Sequence, residues 1–343
     1  MILAIEIGGT KLQLAVTAGD GSAFVAHERM SIDPEAGAKG ILDAVAAAGK
    51  RMVRTHELKS VGVGFGGPVN PQQGKIIKSH HVAGWDDFPL VEWIRQELGL
   101  AASIENDANA AALGEAMLGA GRGCDPVLYV TVGSGVGGGL IREGRIYAGH
   151  GDAACEIGHL RPGLTADTAE QTVESIASGW SIAEAARERL SSPEIFRLAA
   201  SFGKAPSSPE VVRQRLIEAE EADEADAADL LDRCDADLAR LSARDVASAA
   251  EVGNRLAKDV FARAVTALGW GIAQAVTMLS PEVVVVGGGV SLAGEELFFA
   301  PLREATKQFI FPPLAGTFEI RPAALGEDVV LHGAAALAVN VKN

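Results

Sequence analysis

The sequence predicts an α/β protein of two domains, and three observations carry that prediction. Its 343 residues suffice for two domains, each with a core of its own. Strand-like apolar runs alternate with helical stretches through the first third of the chain, which argues for helices layered on sheets. One pattern also occurs twice. An apolar run, a Gly/Ser/Thr turn and a second apolar run open the chain at "AIEIGGTKLQLAV" (Ala4 to Val16) and return at "VLYVTVGSGVGGGLI" (Val127 to Ile141). Such a recurrence suggests an internal duplication in which each half starts on a hairpin. Chance resemblance between glycine-rich hairpins is the alternative.

The elements follow in order. Residues 1–16 read as two strands joined by the turn Gly8-Gly9-Thr10-Lys11. Gly37–Thr55 is expected to be helical, with Ile41, Val45 and Ala48 on one face. "SVGVGFGGPVN" is a strand running into a glycine–proline loop. In "GWDDFPLVEWIRQELGL" Asp86 and Asp87 are candidate caps of an amphipathic helix. "ASIENDANAAALGEAML" is a strand, a polar turn and an alanine-rich helix. "VVVVGGGVSLAGEEL" (Val283 to Leu297) gives a buried strand, a third glycine turn and the look of a helix start after Gly289. The acidic, alanine-rich segment 201–245 reads as a solvated helical insertion. The final "VLHGAAALAVN" is a helix whose apolar face needs a partner.

Composition removes several function classes. Apolar residues make up 48% and charged residues 22%, which excludes wholesale disorder. A net charge of −15 repels phosphate backbones and anionic lipid, so neither nucleic acid nor a membrane is an expected partner. No basic segment precedes a long apolar one at the N-terminus, and nothing reaches the ~18 apolar residues of a spanning helix. Cys124, Cys155 and Cys234 form no CxxC pair and read as small buried hydrophobes in a reducing compartment. A cytoplasmic protein is expected. The 40 glycines, in contrast, point to several loop-built sites.

Glycine turns after strands let backbone N–H groups face phosphate oxygens without an intervening side chain. Thr10 and Lys11 add a hydroxyl and a positive charge to the first turn, and Glu6 is placed to hold Mg²⁺ through water. The chain lacks GxxxxGK[ST]. "GSGVGG" (Gly133 to Gly138) continues as a strand instead of a helix, which disfavours a dinucleotide site. "ENDAN" (Glu105 to Asn109) is the sharpest polar cluster; it reads either as a held carboxylate or as a helix N-cap. Glu156 and His159 in "EIGH", with Glu174 in "VES", supply two carboxylates and an imidazole for vicinal hydroxyls. An ordinary polar core histidine is the alternative for His159.

Together "EIGGTK", "GFGGPVN", "ENDANAAALGE", "VTVGSGVGGGLI", "EIGH" and "GGGV" resemble the ROK family, bacterial sugar kinases and related repressors of the hexokinase and actin superfamily. The resemblance spans residue 4 to about 290. It implies two ribonuclease H-like (actin-type ATPase) domains with an interdomain cleft: residues 1–117 plus 330–343, and 118–329 carrying the acidic insertion. It also implies ATP-dependent phosphorylation of a hexose at its 6-hydroxyl, glucose first, with Asp107 as general base and Mg²⁺ as cofactor. Gly66, Gly67, Asn106, Asp107, Glu156, His159 and Glu174 match sugar-holding positions. Gly8, Gly9, Thr10 and Lys11, with Thr131, Gly133, Ser134 and Gly135, match positions facing ATP phosphates, and Gly287, Gly288 and Gly289 the adenosine. A homodimer is implied as well.

Three departures from the family pattern stand out. Glu6 replaces the usual Asp, pushing the carboxylate outward by one methylene. "LRPGLTADTAEQTVES" replaces CxCGxxGCxE, so no structural zinc is expected and the loop carrying Glu174 is left without that clamp. The acidic insertion is also longer than expected. Another hexose or N-acetylhexosamine kinase, or a non-catalytic sugar-binding relative, is the alternative function. A repressor is disfavoured, because the chain begins at the first strand and is acidic.

Overall fold

The computed structural model describes residues 1–18, 21, 23–79, 82–151, 153–163, 166–191 and 222–339. The strands are β1 (Ile2–Ile7), β2 (Lys11–Thr17), β3 (Phe24–Ser31), β4 (Ser60–Phe65), β5 (Val69–Asn70), β6 (Lys75–Ile76), β7 (Ala101–Asn106), β8 (Val127–Val132), β9 (Val136–Arg142), β10 (Arg145–Ile146), β11 (Val283–Gly287) and β12 (Glu319–Pro322). They form two five-stranded sheets, ordered β3-β2-β1-β4-β7 and β10-β9-β8-β11-β12, and one small hairpin of β5 and β6. In each large sheet the first three strands are antiparallel neighbours and the last two lie parallel to the central strand. The two halves therefore share one topology, as the repeated hairpin predicts.

The helices are α1 (Gly37–Thr55), α2 (Leu90–Leu98), α3 (Asp107–Leu118), α4 (Glu174–Ala177), α5 (Gly179–Leu190), α6 (Ala222–Arg233), α7 (Ala243–Glu251), α8 (Arg255–Leu279), α9 (Ala300–Phe309) and α10 (Val329–Val339). Strand alternation sorts the core. Leu3, Ile5 and Ile7 of β1 face the cluster of Ile41, Val45 and Ala48 from α1. Ile2 and Ala4 face Leu331, Ala334 and Ala335 of α10. In the second sheet Val127 and Tyr129 meet Ala110 to Leu113 of α3, whereas Leu128, Val130 and Val132 meet α5, α7 and α8. Helices α3 and α10 pack on each other between the sheets. They cross so closely that a Cβ on Gly333 would lie 1.7 Å from Ala110 O, so only glycine fits.

Some expectations change. Asp86 and Asp87 do not cap α2, which starts at Leu90 after Pro89; Asp87 instead pairs with Lys75 at 3.1 Å. The stretch after Gly289 begins with a short 3₁₀ turn, Gly289–Ala293, and regular α-helix resumes only at Ala300. Of the acidic insertion, 201–221 lie outside the described residues. The remainder is not a solvated decoration: Ala227, Leu230, Cys234 and Leu241 are buried in the core of the second half. Helix α8 is long and apolar enough to cross a membrane, yet 61% of its apolar window is buried against the protein.

Candidate active site

Strand β7 runs directly into α3, and the junction is built by its own side chains. Asn106 caps the helix, its Oδ1 accepting the N–H groups of Ala108 at 2.9 Å and Asn109 at 3.3 Å. Its Nδ2 donates to Gly67 O at 3.2 Å, tying the cap to the glycine loop. Buried Glu105 accepts from the Asn106 N–H and from Asn109 Nδ2, bracing the turn from below. Half-buried Asp107 accepts the Ala108 N–H on its Oδ1 at 2.8 Å. A Cβ on Gly66 would lie 3.4 Å from both Asp107 Oδ2 and Gly8 Cα, so Gly66 sits between the acid and the first glycine turn. Burial pushes the Asp107 carboxyl up to about 6, and the nearby charges of Glu6 and Glu156 add to the rise.

Glu6 lies at the end of β1, opposite Gln13 in the hairpin register. Gln13 Nε2 donates to Glu6 Oε2 at 2.8 Å, and Lys11 Nζ lies 3.1 Å from Oε1. Burial raises the Glu6 pKa while Lys11 and Gln13 oppose the rise. Lys11 also donates to Glu327 O, and Gln13 Oε1 lies 3.0 Å from His27 Nε2.

The second half supplies the facing wall. Gly133 N–H donates to Gly135 O, closing the second turn after Thr131 and β8. Gly288 adopts φ 90° and lies against the end of β8, where a Cβ would meet Val132 O at 2.4 Å. The Gly287–Gly289 turn thus abuts the end of β8, where the second glycine turn begins. Gly158 packs so closely on Val136 that the Glu156–His159 turn is held beside it. Glu156 is held above the ordinary carboxylate range, by desolvation first and then by Glu174, with His159 opposing.

The loop carrying Glu174 does not lack a clamp, contrary to the expectation from the missing cysteines. Val173 is fully buried and its N–H donates to Leu160 O at 2.8 Å; Glu174 Oε2 accepts the Val136 N–H at 2.7 Å. Hydrophobic burial and a charge-assisted bond do this work without thiolates.

One cavity of about 990 Å³ gathers Gly66, Gly67, Asn106, Glu156, His159 and Glu174 with Ser134 and Gly135. Asp107 flanks it behind Gly66. Gly8, Gly9, Thr10, Lys11, Thr131, Gly133 and Gly287–Gly289 do not line it. Asn109 and Trp180 also line the cavity, and Gln13 holds Glu6 from the neighbouring strand. Hairpin arithmetic pairs Glu6 with Gln13, and Asn109 stands within "ENDAN", so those two had a signal. Trp180, 74% exposed yet lining the cavity, had none.

Two sheets of one topology, with glycine turns at the ends of their central strands, define the ribonuclease H-like, actin-type ATPase class. The ROK family profile matches residues 2–341, and the chain belongs to the ROK family. It is 29% identical to the glucokinase of Thermotoga maritima, over 98% of this chain and 96% of that protein. It is 30% identical to the glucokinase of Halalkalibacterium halodurans, over 96% and 92%. A ROK family glucokinase from Streptomyces griseus, solved with glucose and AMPPNP, superposes with a TM-score of 0.76 at 30% identity, covering 98% of both chains.

Proposed function

We propose that this protein is an ATP-dependent hexose kinase that phosphorylates the 6-hydroxyl, with glucose the preferred acceptor and Asp107 the general base. The observation that carries the reading is Asp107 itself. It is a half-buried carboxylate with its pKa raised to about 6, beside Gly66 and the first phosphate turn, on the border of a polar cavity. Support comes from the glucokinases to which the chain is similar.

In this reading Asn106, Glu156, His159 and Glu174 hold the sugar hydroxyls while Gly66 and Gly67 border the ring. Asp107 accepts the O6 proton as the O6–P bond forms and the bond from the γ-phosphorus to its bridging oxygen breaks. The proton then passes to solvent, and ADP leaves with the electron pair of the broken bond. Backbone N–H groups of the two glycine turns and Lys11 receive the phosphates. Glu6 and Asp107 are hard oxygen donors, near enough for the Glu6 charge to add to the burial-driven rise of the Asp107 pKa, and they would hold a divalent cation. Bound there, Mg²⁺ supplies charge neutralisation for the phosphates. Domains of 1–117 plus 330–343 and of 118–329 close over the sugar and exclude water, which limits ATP hydrolysis. The enzyme works in the cytoplasm, as a dimer.

The test is ADP release from Mg-ATP with glucose, mannose, fructose, allose, N-acetylglucosamine and N-acetylmannosamine, beside Asp107→Asn. Turnover with glucose above the others, lost in the variant, supports the proposal. Preference for another sugar replaces the acceptor. Binding without turnover makes this a sugar-binding relative.

A further inference from the structure

Glu115 lies about two turns beyond Asp107 on α3 and is fully buried. Its carboxylate accepts three backbone N–H groups: Oε2 from Ala120 at 2.7 Å, Oε1 from Ala324 at 2.9 Å and Leu325 at 2.8 Å. These donors come from the two places where the chain passes between the sheets. Ala120 belongs to the outgoing segment between α3 and β8, and Ala324 and Leu325 to the returning segment between β12 and α10. Arg321 Nη1 holds Ala120 from its other side, donating to Ala120 O at 3.0 Å. Gly119 leaves the carboxylate its room: a Cβ there would lie 2.1 Å from Glu115 Oε2.

A buried charge is a poor device for stability alone, since apolar packing fills such a place at less desolvation cost. It is a good device for geometry, because charge-assisted bonds are directional. We propose that Glu115 is a positioning residue for phosphoryl transfer: it ties both inter-sheet connections to the helix that carries Asp107, and so sets how the acid meets the second phosphate turn. This inference rests on the kinase reading.

The test is Glu115→Gln in the full chain, measured beside the unaltered protein. Glutamine keeps the length but turns an NH₂ group toward one connection, so it cannot accept from both. Amide exchange is expected to quicken at least about tenfold at Ala120 or at Ala324 and Leu325, with kcat falling about 10- to 100-fold. KM for sugar and for ATP should stay within about threefold. A variant with lowered Tm but kcat per folded molecule within about twofold of the parent would reduce Glu115 to a structural role and overturn the proposal. If the glutamine variant does not fold, Glu115→Asp, which shortens the reach, is read by the same measurements. An unaltered protein that turns over no sugar defeats the kinase reading alone. Sugar-induced compaction in small-angle scattering then decides whether Glu115 sets how the two halves meet, and equal compaction in both proteins overturns it.

Discussion

Glu174 and Val136 are joined by a 2.7 Å hydrogen bond from the valine N–H to the glutamate carboxylate. Through it the loop proposed to complete the sugar side is fastened to the turn proposed to receive phosphate. Glu174→Ala leaves the Val136 N–H without its acceptor and loosens both. KM for sugar and for ATP should rise together, by about tenfold, for an interaction of roughly 1–1.5 kcal/mol. Steady-state kinetics checks this; a rise in only one KM means the two sides are not linked through this bond.

The proposed base, Asp107, sets an expected pH dependence. If it must be ionised, its pKa raised to about 6 makes kcat/KM fall as pH drops through 6. A profile flat down to pH 5 would contradict this. Asp107→Asn should lower kcat about 10²- to 10⁴-fold.

The same residue bears on stability. Its folded pKa, about 6, stands above its ordinary value of 3.8, so the folded state holds the proton more tightly. That stabilisation is full below about pH 4 and is lost as pH rises through 6, up to about 3 kcal/mol. Asp107→Asn should therefore be more stable than the parent at pH 7, with the advantage vanishing near pH 4. Urea unfolding at the two pH values measures it.

Restoring the family's usual acid should harm this chain. Glu6→Asp withdraws the carboxylate from Gln13, whose side chain is fully buried, leaving a donor unpaired. A loss of about 1–3 kcal/mol in urea unfolding is expected. An unchanged midpoint would show that Gln13 follows the shorter acid.

Trp180 offers an optical readout. It is 74% exposed and lines the cavity, whereas Trp85 is 1% exposed. Sugar entering the cavity should shift indole emission to the blue in a saturable way, and Trp180→Phe should abolish the shift. A shift that persists in the variant would assign it to another tryptophan.

Local signals made much of this protein legible in its sequence. The strand–glycine–strand pattern set both hairpins, helix α1 followed the spacing of Ile41, Val45 and Ala48, and a cap within "ENDAN" was one of two readings, which the structure places at Asn106. Such features depend on neighbours a few residues away, so periodicity and turn chemistry determine them. Asp87 shows the limit: its type suited a cap, but Lys75 drew it into an ion pair. Only tertiary structure decided that Glu174 reaches Val136, that the acidic segment buries Leu230 and Leu241, and that Glu115 gathers Ala120, Ala324 and Leu325. Those partners lie far apart in the chain, and they meet only because helices packed on two sheets bring them within hydrogen-bonding or van der Waals reach, a distance no local pattern encodes.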